Sequence, residues 1–257
     1  MYITYKNIKL YYDKIGNKKD VIVILPGWGN TKDTFKTMID SLKDNYTIYI
    51  VDYPGFGKTP FPKKVLTMHD YAALIITLFD KEKITNPYII THSFGGRIAI
   101  LLTGLYNIRV KKLLLIDSAG IKPKMTIAKW FRLKSYKLLQ KLAIVIPLKY
   151  RAKYKNKIFK MFASSDYKSL NKEERETFKN IVNFDLTDYL TNIKTETLLI
   201  WGDKDYDTPL RDGILMKRKI KNSELIVFKD STHYSYLENL DVILRIIYIL
   251  SLIHISE

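Results

Sequence analysis

Six short runs of Val, Ile and Leu, each closed by a turn signal, constrain this chain more than any other feature. They are "VIVILPGWG", "YTIYIVDYPGFG", "PYIITHSFGG", "VKKLLLIDSAG", "TETLLIWGDKD" and "SELIVFKDSTH", and helical patterns separate most of them. Near-continuous apolar strands alternating with helices need cover on both faces, which a parallel sheet between two helical layers provides. Ahead of them, "ITYKNIKLYYDKIG" alternates apolar and polar residues and reads as an antiparallel hairpin at a sheet edge. A helix from about Asn239 to Leu250 closes the pattern. The expected fold class is therefore α/β, a mostly parallel sheet with helices on both faces.

Between Asp117 and Thr197 no strand run occurs. There "TIAKWFRLKSYKLLQKL" brings Ile127, Trp130, Phe131, Leu138 and Leu142 near one helical face. Residues 121–190 thus read as a helical cap inserted between two parts of the core, 1–120 and 191–249. The final "LSLIHISE", 250–257, reads as translated library-adapter sequence, with an ordinary helix end as the alternative. His254, within it, is accordingly expected to have no functional role.

The chain has 257 residues and no cysteine, which removes disulfides, a thiol nucleophile and thiolate metal sites. The N-terminal segment has no signal-peptide pattern, and the longest apolar stretches are broken by Arg245 or Pro147, so a cytoplasmic location is expected. The net charge is +17, and its placement matters more than its size. From Ser118 to Ser165 there are thirteen Lys or Arg and no Asp or Glu, so the basic excess is concentrated in the insertion.

In open parallel sheets ligands sit at the carboxyl ends of the strands. Those ends here carry "LPGWG", "DYPGFG", Ser93, the acids Asp203, Asp205 and Asp207, and His233. A serine hydroxyl becomes a useful nucleophile only when a base takes its proton and a turn lifts it clear of its own backbone. A sharp strand-to-helix corner at Ser93 does this. Gly95 and Gly96 let the helix pack closely, and the amide of Phe94 is left facing the reacting centre.

With these motifs the chain resembles the α/β-hydrolase superfamily over nearly all its length. "THSFGG" matches the nucleophile elbow, "LPGWG" the oxyanion loop, "DYPGFG" a structural turn, "WGDKDYDTP" the acid turn and "STHYSYLEN" the histidine loop. The resemblance implies a capped serine hydrolase with Ser93 as nucleophile, His233 as base and Asp205, fifth in W-G-x-x-D-x-x-x-P, as the acid. It also implies an oxyanion hole from the backbone amides of Trp28 and Phe94. Asp203 and Asp207 then read as turn residues, Asp117 as a strand-end cap, and His69 and His92 as structural.

Three positions depart from the family pattern. Thr91 stands for the first glycine of the elbow, which predicts slight reshaping there; Pro26 stands for a common histidine, and Thr232 for a glycine. The implied chemistry is acyl transfer from a small-molecule substrate to Ser93 and then to water, with a carboxylic ester ahead of a carbon–carbon bond and of a non-catalytic ligand-binding role. The serine separates the chain from relatives on this fold that use an aspartate nucleophile. No metal cluster, P-loop or dinucleotide fingerprint is present, so neither metal nor cofactor is expected. Nor does any motif point to nucleic acid. Large cap residues (Trp130, Phe131, Tyr136, Met161, Phe162) are expected to supply apolar pocket walls. The basic cap is expected to be either a solvated face or a weak contact with an anionic membrane surface, through Lys129, Arg132, Lys134 and Lys137.

Overall fold

The computed structural model describes residues 1–123, 127–162, 167 and 170–252, without the side chains of 128, 129 and 250–252. Residues 253–257, most of the expected foreign tail, lie outside them, as does the side chain of Lys129. Eight strands form one sheet: β1 (Tyr2–Tyr5), β2 (Ile8–Ile15), β3 (Val21–Leu25), β4 (Thr47–Asp52), β5 (Tyr88–His92), β6 (Lys112–Ile116), β7 (Thr197–Gly202) and β8 (Ser223–Phe228). Their order is β1-β2-β4-β3-β5-β6-β7-β8. The hairpin β1–β2 and its junction with β4 are antiparallel, and every other pairing is parallel.

Successive residues of each strand face opposite sides, and in β3 both sides are core. Val23 and Leu25 pack under α2 (Met68–Glu82) and α3 (Phe94–Gly104). Ile22 and Ile24 pack under α1 (Lys36–Leu42) and the final helix, Leu240–Leu252. This two-sided burial explains the unbroken apolar runs. β4, β5 and β6 are buried at every residue, whereas edge strand β8 is not. Helix α2 begins at a capping box, in which Thr67 and Asp70 each take the other's backbone N–H.

After β3 the chain steps outward to β4 and then returns to β5 on the other side of β3. That reversal opens a crevice between the carboxyl ends of β3 and β5, where ligands of such sheets bind.

Between β6 and β7 the chain forms α4 (Ile127–Leu142), α5 (Leu148–Phe162) and α6 (Lys172–Asn183). Helix α6 is tied to the core, since the Leu66 amide donates to Thr177 Oγ1 at 2.8 Å and Arg97 donates to the Phe184 carbonyl at 2.8 Å. Helices α4 and α5 bond chiefly to each other, through Arg132 to the Phe162 carbonyl and Gln140 to the Lys155 carbonyl. The apolar face expected on α4 turns outward: Ile127, Trp130, Phe131, Leu138 and Leu142 are all exposed.

Candidate active site

Strand β5 ends at His92, and Ser93 takes φ 48° and ψ −110°, a strained conformation for a residue with a side chain. Ser93 is held there by the backbone. Its amide donates to the Ile116 carbonyl, and its carbonyl accepts from Gly96 and Ala119. The corner is tight enough that a Cβ on Gly95 would lie 1.9 Å from the Leu25 carbonyl oxygen, and one on Gly96 1.8 Å from Ser118 Oγ. Thr91 is fully buried, and its hydroxyl donates to the Leu114 carbonyl, which gives this β-branched residue a place within the sheet.

The structure brings Ser93, His233 and Asp205 together. His233, on the loop after β8, has Nε2 2.9 Å from Ser93 Oγ and Nδ1 2.8 Å from Asp205 Oδ2. A carboxylate only accepts, so Nδ1 carries the proton and the Nε2 lone pair faces the serine hydroxyl. Asp205 is buried and well held. Its Oδ1 accepts from the amides of Asp207 and Thr208, and Thr208 Oγ1 lies 2.7 Å from Oδ2. Burial alone would push its pKa up, but the His233 and Thr208 contacts hold it below the ordinary carboxylate value. Burial likewise opposes charge on His233, yet Asp205, Asp207 and Asp117 outweigh it and raise the imidazole above its usual 6.5.

Asp117 does more than cap a strand. Its carboxylate accepts from the Gly202 amide and from both the amide and the hydroxyl of Ser235, joining the ends of β6 and β7 to the histidine loop. Burial is the main cause of its pKa rising to about 6. Asp203 makes no contact with His233, and Asp207 stands beside the pair. His69 sits apart, bonded to the Tyr106 hydroxyl.

Trp28, on the loop after β3, stacks edge-on against Phe94 with ring centroids 5.4 Å apart. Among the described residues no acceptor takes the amide N–H of Trp28 or Phe94. Beside Ser93 lies a cavity of about 250 Å³, walled by Trp28, Phe94, Ile121, Phe178, Ile181 and Val182. The apolar wall therefore combines the core residues Trp28 and Phe94 with Ile121 and with Phe178, Ile181 and Val182 of α6. Trp130, Phe131, Tyr136, Met161 and Phe162, expected there, do not line it: Trp130, Phe131 and Met161 are exposed, and Tyr136 packs on Phe162. Helical periodicity marks an apolar face without saying what meets it.

Arg97, one turn beyond Ser93 on α3, also lines this cavity and is almost wholly buried. Its guanidinium donates to the Phe184 carbonyl and, among the described residues, makes no other hydrogen bond and no ion pair. Burial lowers its pKa to about 10, with Asp185 and Asp212 opposing. A lone cation inside the apolar run "GGRIAILL" is the signal that could have singled it out. Asp205, Asp207 and His233 form the one cluster with metal-ligand geometry among the described residues. However, Asp205 Oδ2 and His233 Nδ1 are already bonded to each other. A second cavity, about 290 Å³, opens at the amino ends of β5 to β8 near Tyr88, Lys112, Thr197 and Ser223, and no nucleophile–base pair lines it.

A serine on a strand-to-helix corner, with an acid and an imidazole on two later loops of one mostly parallel sheet, defines a hydrolase architecture. The chain belongs to the alpha/beta hydrolase fold family, whose profile matches residues 20–240. It is 23% identical over 264 residues to 2-hydroxy-6-oxononadienedioate/2-hydroxy-6-oxononatrienedioate hydrolase 1 of Pseudomonas putida, covering 94% of this chain and 91% of the relative. The corresponding hydrolase of Escherichia coli strain K12 is 24% identical, with coverage of 92% and 88%. An alpha/beta hydrolase enzyme from a Medee basin deep-sea metagenome library shares the fold at TM-score 0.75 and 20% identity, covering 97% of this chain and 96% of that one. A meta-cleavage product hydrolase from Pseudomonas fluorescens does so at 0.72 and 21%, with the same coverage.

Proposed function

We propose that the protein is a serine hydrolase that cleaves a carboxylic ester or similar acyl substrate through an acyl-enzyme. The observation that carries this reading is the unbroken hydrogen-bonded line Asp205–His233–Ser93, at 2.8 and 2.9 Å, beside a cavity of about 250 Å³. His233 Nε2 removes the Ser93 proton as Oγ attacks the carbonyl carbon, and Asp205 stabilises the imidazolium that forms. The amides of Trp28 and Phe94 receive the oxyanion. His233 then gives its proton to the leaving alkoxide, and a water repeats the sequence to release the acid and free Ser93.

One observation favours a second substrate class on the same residues. Arg97 presents a buried guanidinium at the cavity wall that donates to the Phe184 carbonyl and, with Asp185 and Asp212 nearby, forms no ion pair among the described residues, and a carboxylate-bearing substrate could pair with it there. The two curated relatives are hydrolases of dioates by name, so carbon–carbon bond hydrolysis of an acidic substrate is the alternative. A panel of chromogenic esters of increasing acyl length, run beside 2-hydroxy-6-oxononadienedioate and a Ser93→Ala control, decides between them. A fluorophosphonate that fails to label Ser93 would leave a non-catalytic ligand-binding role instead.

A further inference from the structure

We propose that the outer face of the α4–α5 hairpin docks on the surface of an anionic phospholipid bilayer. On α4, Ile127, Phe131, Leu138 and Leu142 follow one another at spacings of four and seven residues and so share one side of the helix. That side faces away from the protein, while Tyr136 and Gln140 on the other side meet α5 through Phe162 and the Lys155 carbonyl. Further exposed apolar residues follow directly in the connection and at the start of α5. Ile144, Val145 and Leu148 are 74%, 78% and 79% exposed, more than exposed apolar residues need be in a chain that could have buried them. Met161 and Tyr150 of α5 are also exposed. So many exposed large apolar residues gathered on one helical hairpin mark an interaction site.

The charges around it identify the occupant. Lys134, Lys137 and Lys141 follow one edge of the α4 stripe, and Lys134 folds its ammonium over the Trp130 ring at 5.2 Å. None of the described Lys or Arg of α4 and α5 pairs with an acid among the described residues. From Ser118 to Ser165 the sequence offers no Asp or Glu at all. Apolar side chains bordered by lysines whose stems lie along them suit a helix in the plane of a bilayer interface, with ammonium groups at the phosphates. A second copy of the chain would bring the same uncompensated positive charge to the same face. No described helix is long and apolar enough to cross a membrane, so the hairpin lies on the surface.

The test is flotation of the full chain with vesicles of phosphatidylcholine alone or mixed with phosphatidylglycerol, at low and at physiological salt. The expected result is binding to the mixed vesicles at low salt, release as salt rises, and no binding to phosphatidylcholine alone. The triple variant Ile144→Ser/Val145→Ser/Leu148→Ser, checked for an unchanged melting curve, is expected to bind about tenfold more weakly or worse. Tryptophan emission is expected to shift to the blue on mixed vesicles in the wild type and not in Trp130→Phe. Absence of flotation with mixed vesicles at low salt overturns the proposal. So does flotation that the triple variant retains in full, which would reduce the contact to charge alone. A concentration-dependent dimer that the triple variant abolishes would assign the face to a second copy and also overturn it.

Discussion

His92 donates its Nε2–H to the main-chain carbonyl of His233 at 2.7 Å, so one ring ties the end of β5, next to Ser93, to the loop bearing the imidazole. A carbonyl only accepts, which leaves Nδ1 without a proton, facing the Asn30 amide at 3.4 Å beside the Trp28 loop. Burial, with His233 nearby, pushes its pKa down to about 3, so the ring stays neutral at working pH. His92→Phe keeps a ring but leaves the His233 carbonyl orphaned, at a cost of about 1–3 kcal/mol. We expect kcat to fall by up to about 10²-fold while KM changes little. His92→Gln, which can still donate, should recover part of the loss, as steady-state kinetics and thermal melting would show.

On the proposed mechanism, in which the hydrogen-bonded three act as a unit, Ser93→Ala, His233→Ala and Asp205→Asn should each lower hydrolysis by a factor on the order of 10³ or more. Asp203→Asn and Asp207→Asn should remain within about tenfold of wild type, since neither bonds to the imidazole. Measured kcat/KM on the best substrate of the panel, with circular dichroism to verify folding, checks both sets. A dead Asp203 variant beside an active Asp205 variant would refute the assignment.

The pH dependence follows from the sign of two shifts. His233 acts as a base only when neutral, and its pKa lies above the usual 6.5, so kcat/KM should rise with pH to a midpoint above that value. Asp205→Asn removes the main cause of the rise and should move the midpoint of any residual activity down. Stability runs the other way for this group. A raised folded-state pKa contributes stability that is fully present below 6.5 and is lost as pH rises through the shifted value. The depressed pKa of Asp205 contributes stability above its ordinary carboxylate value, lost as pH falls through the lowered one. Rate profiles and melting curves on the same buffers would show the opposed trends.

Arg97→Met should separate acidic from neutral substrates. Loss of a charge-assisted contact predicts roughly a ten- to hundredfold rise in KM for a carboxylate-bearing substrate. A neutral ester of the same length should keep its KM. Equal effects on both would mean that Arg97 serves only to hold the Phe184 carbonyl.

Strands β3 to β7 were legible because burial on both faces leaves little room for polar residues, the β1–β2 hairpin because it alternates, and the turn signals mark where each run stops. Ser93, His233 and a group of three acids were legible for a related reason: they stand at the carboxyl ends of strands, and those ends share one edge, while the choice of Asp205 over Asp203 and Asp207 came from the acid-turn register that the family resemblance implies. Other features depend on what meets what across the fold. Asp117 read as a strand cap because its partners, Gly202 and Ser235, lie 85 and 118 residues later. The α4 stripe was visible as a periodicity, but periodicity gives a face and not its neighbour. Arg97 was hidden because a single cation in an apolar helix shows its meaning only once the cavity beside it is known.

Ser93 precedes His233, whose Nε2 faces its hydroxyl, by 140 residues. The elbow, with β3 and β5, is synthesised in the first half of the chain, whereas the imidazole arrives only after the whole insertion and the last two strands. Contacts so far apart in sequence form late, because a long loop must close before they return any energy. Covalent labelling of Ser93 would therefore serve as a clock for complete folding, silent in nascent chains that already hold most of the sheet and switching on only when β8 docks.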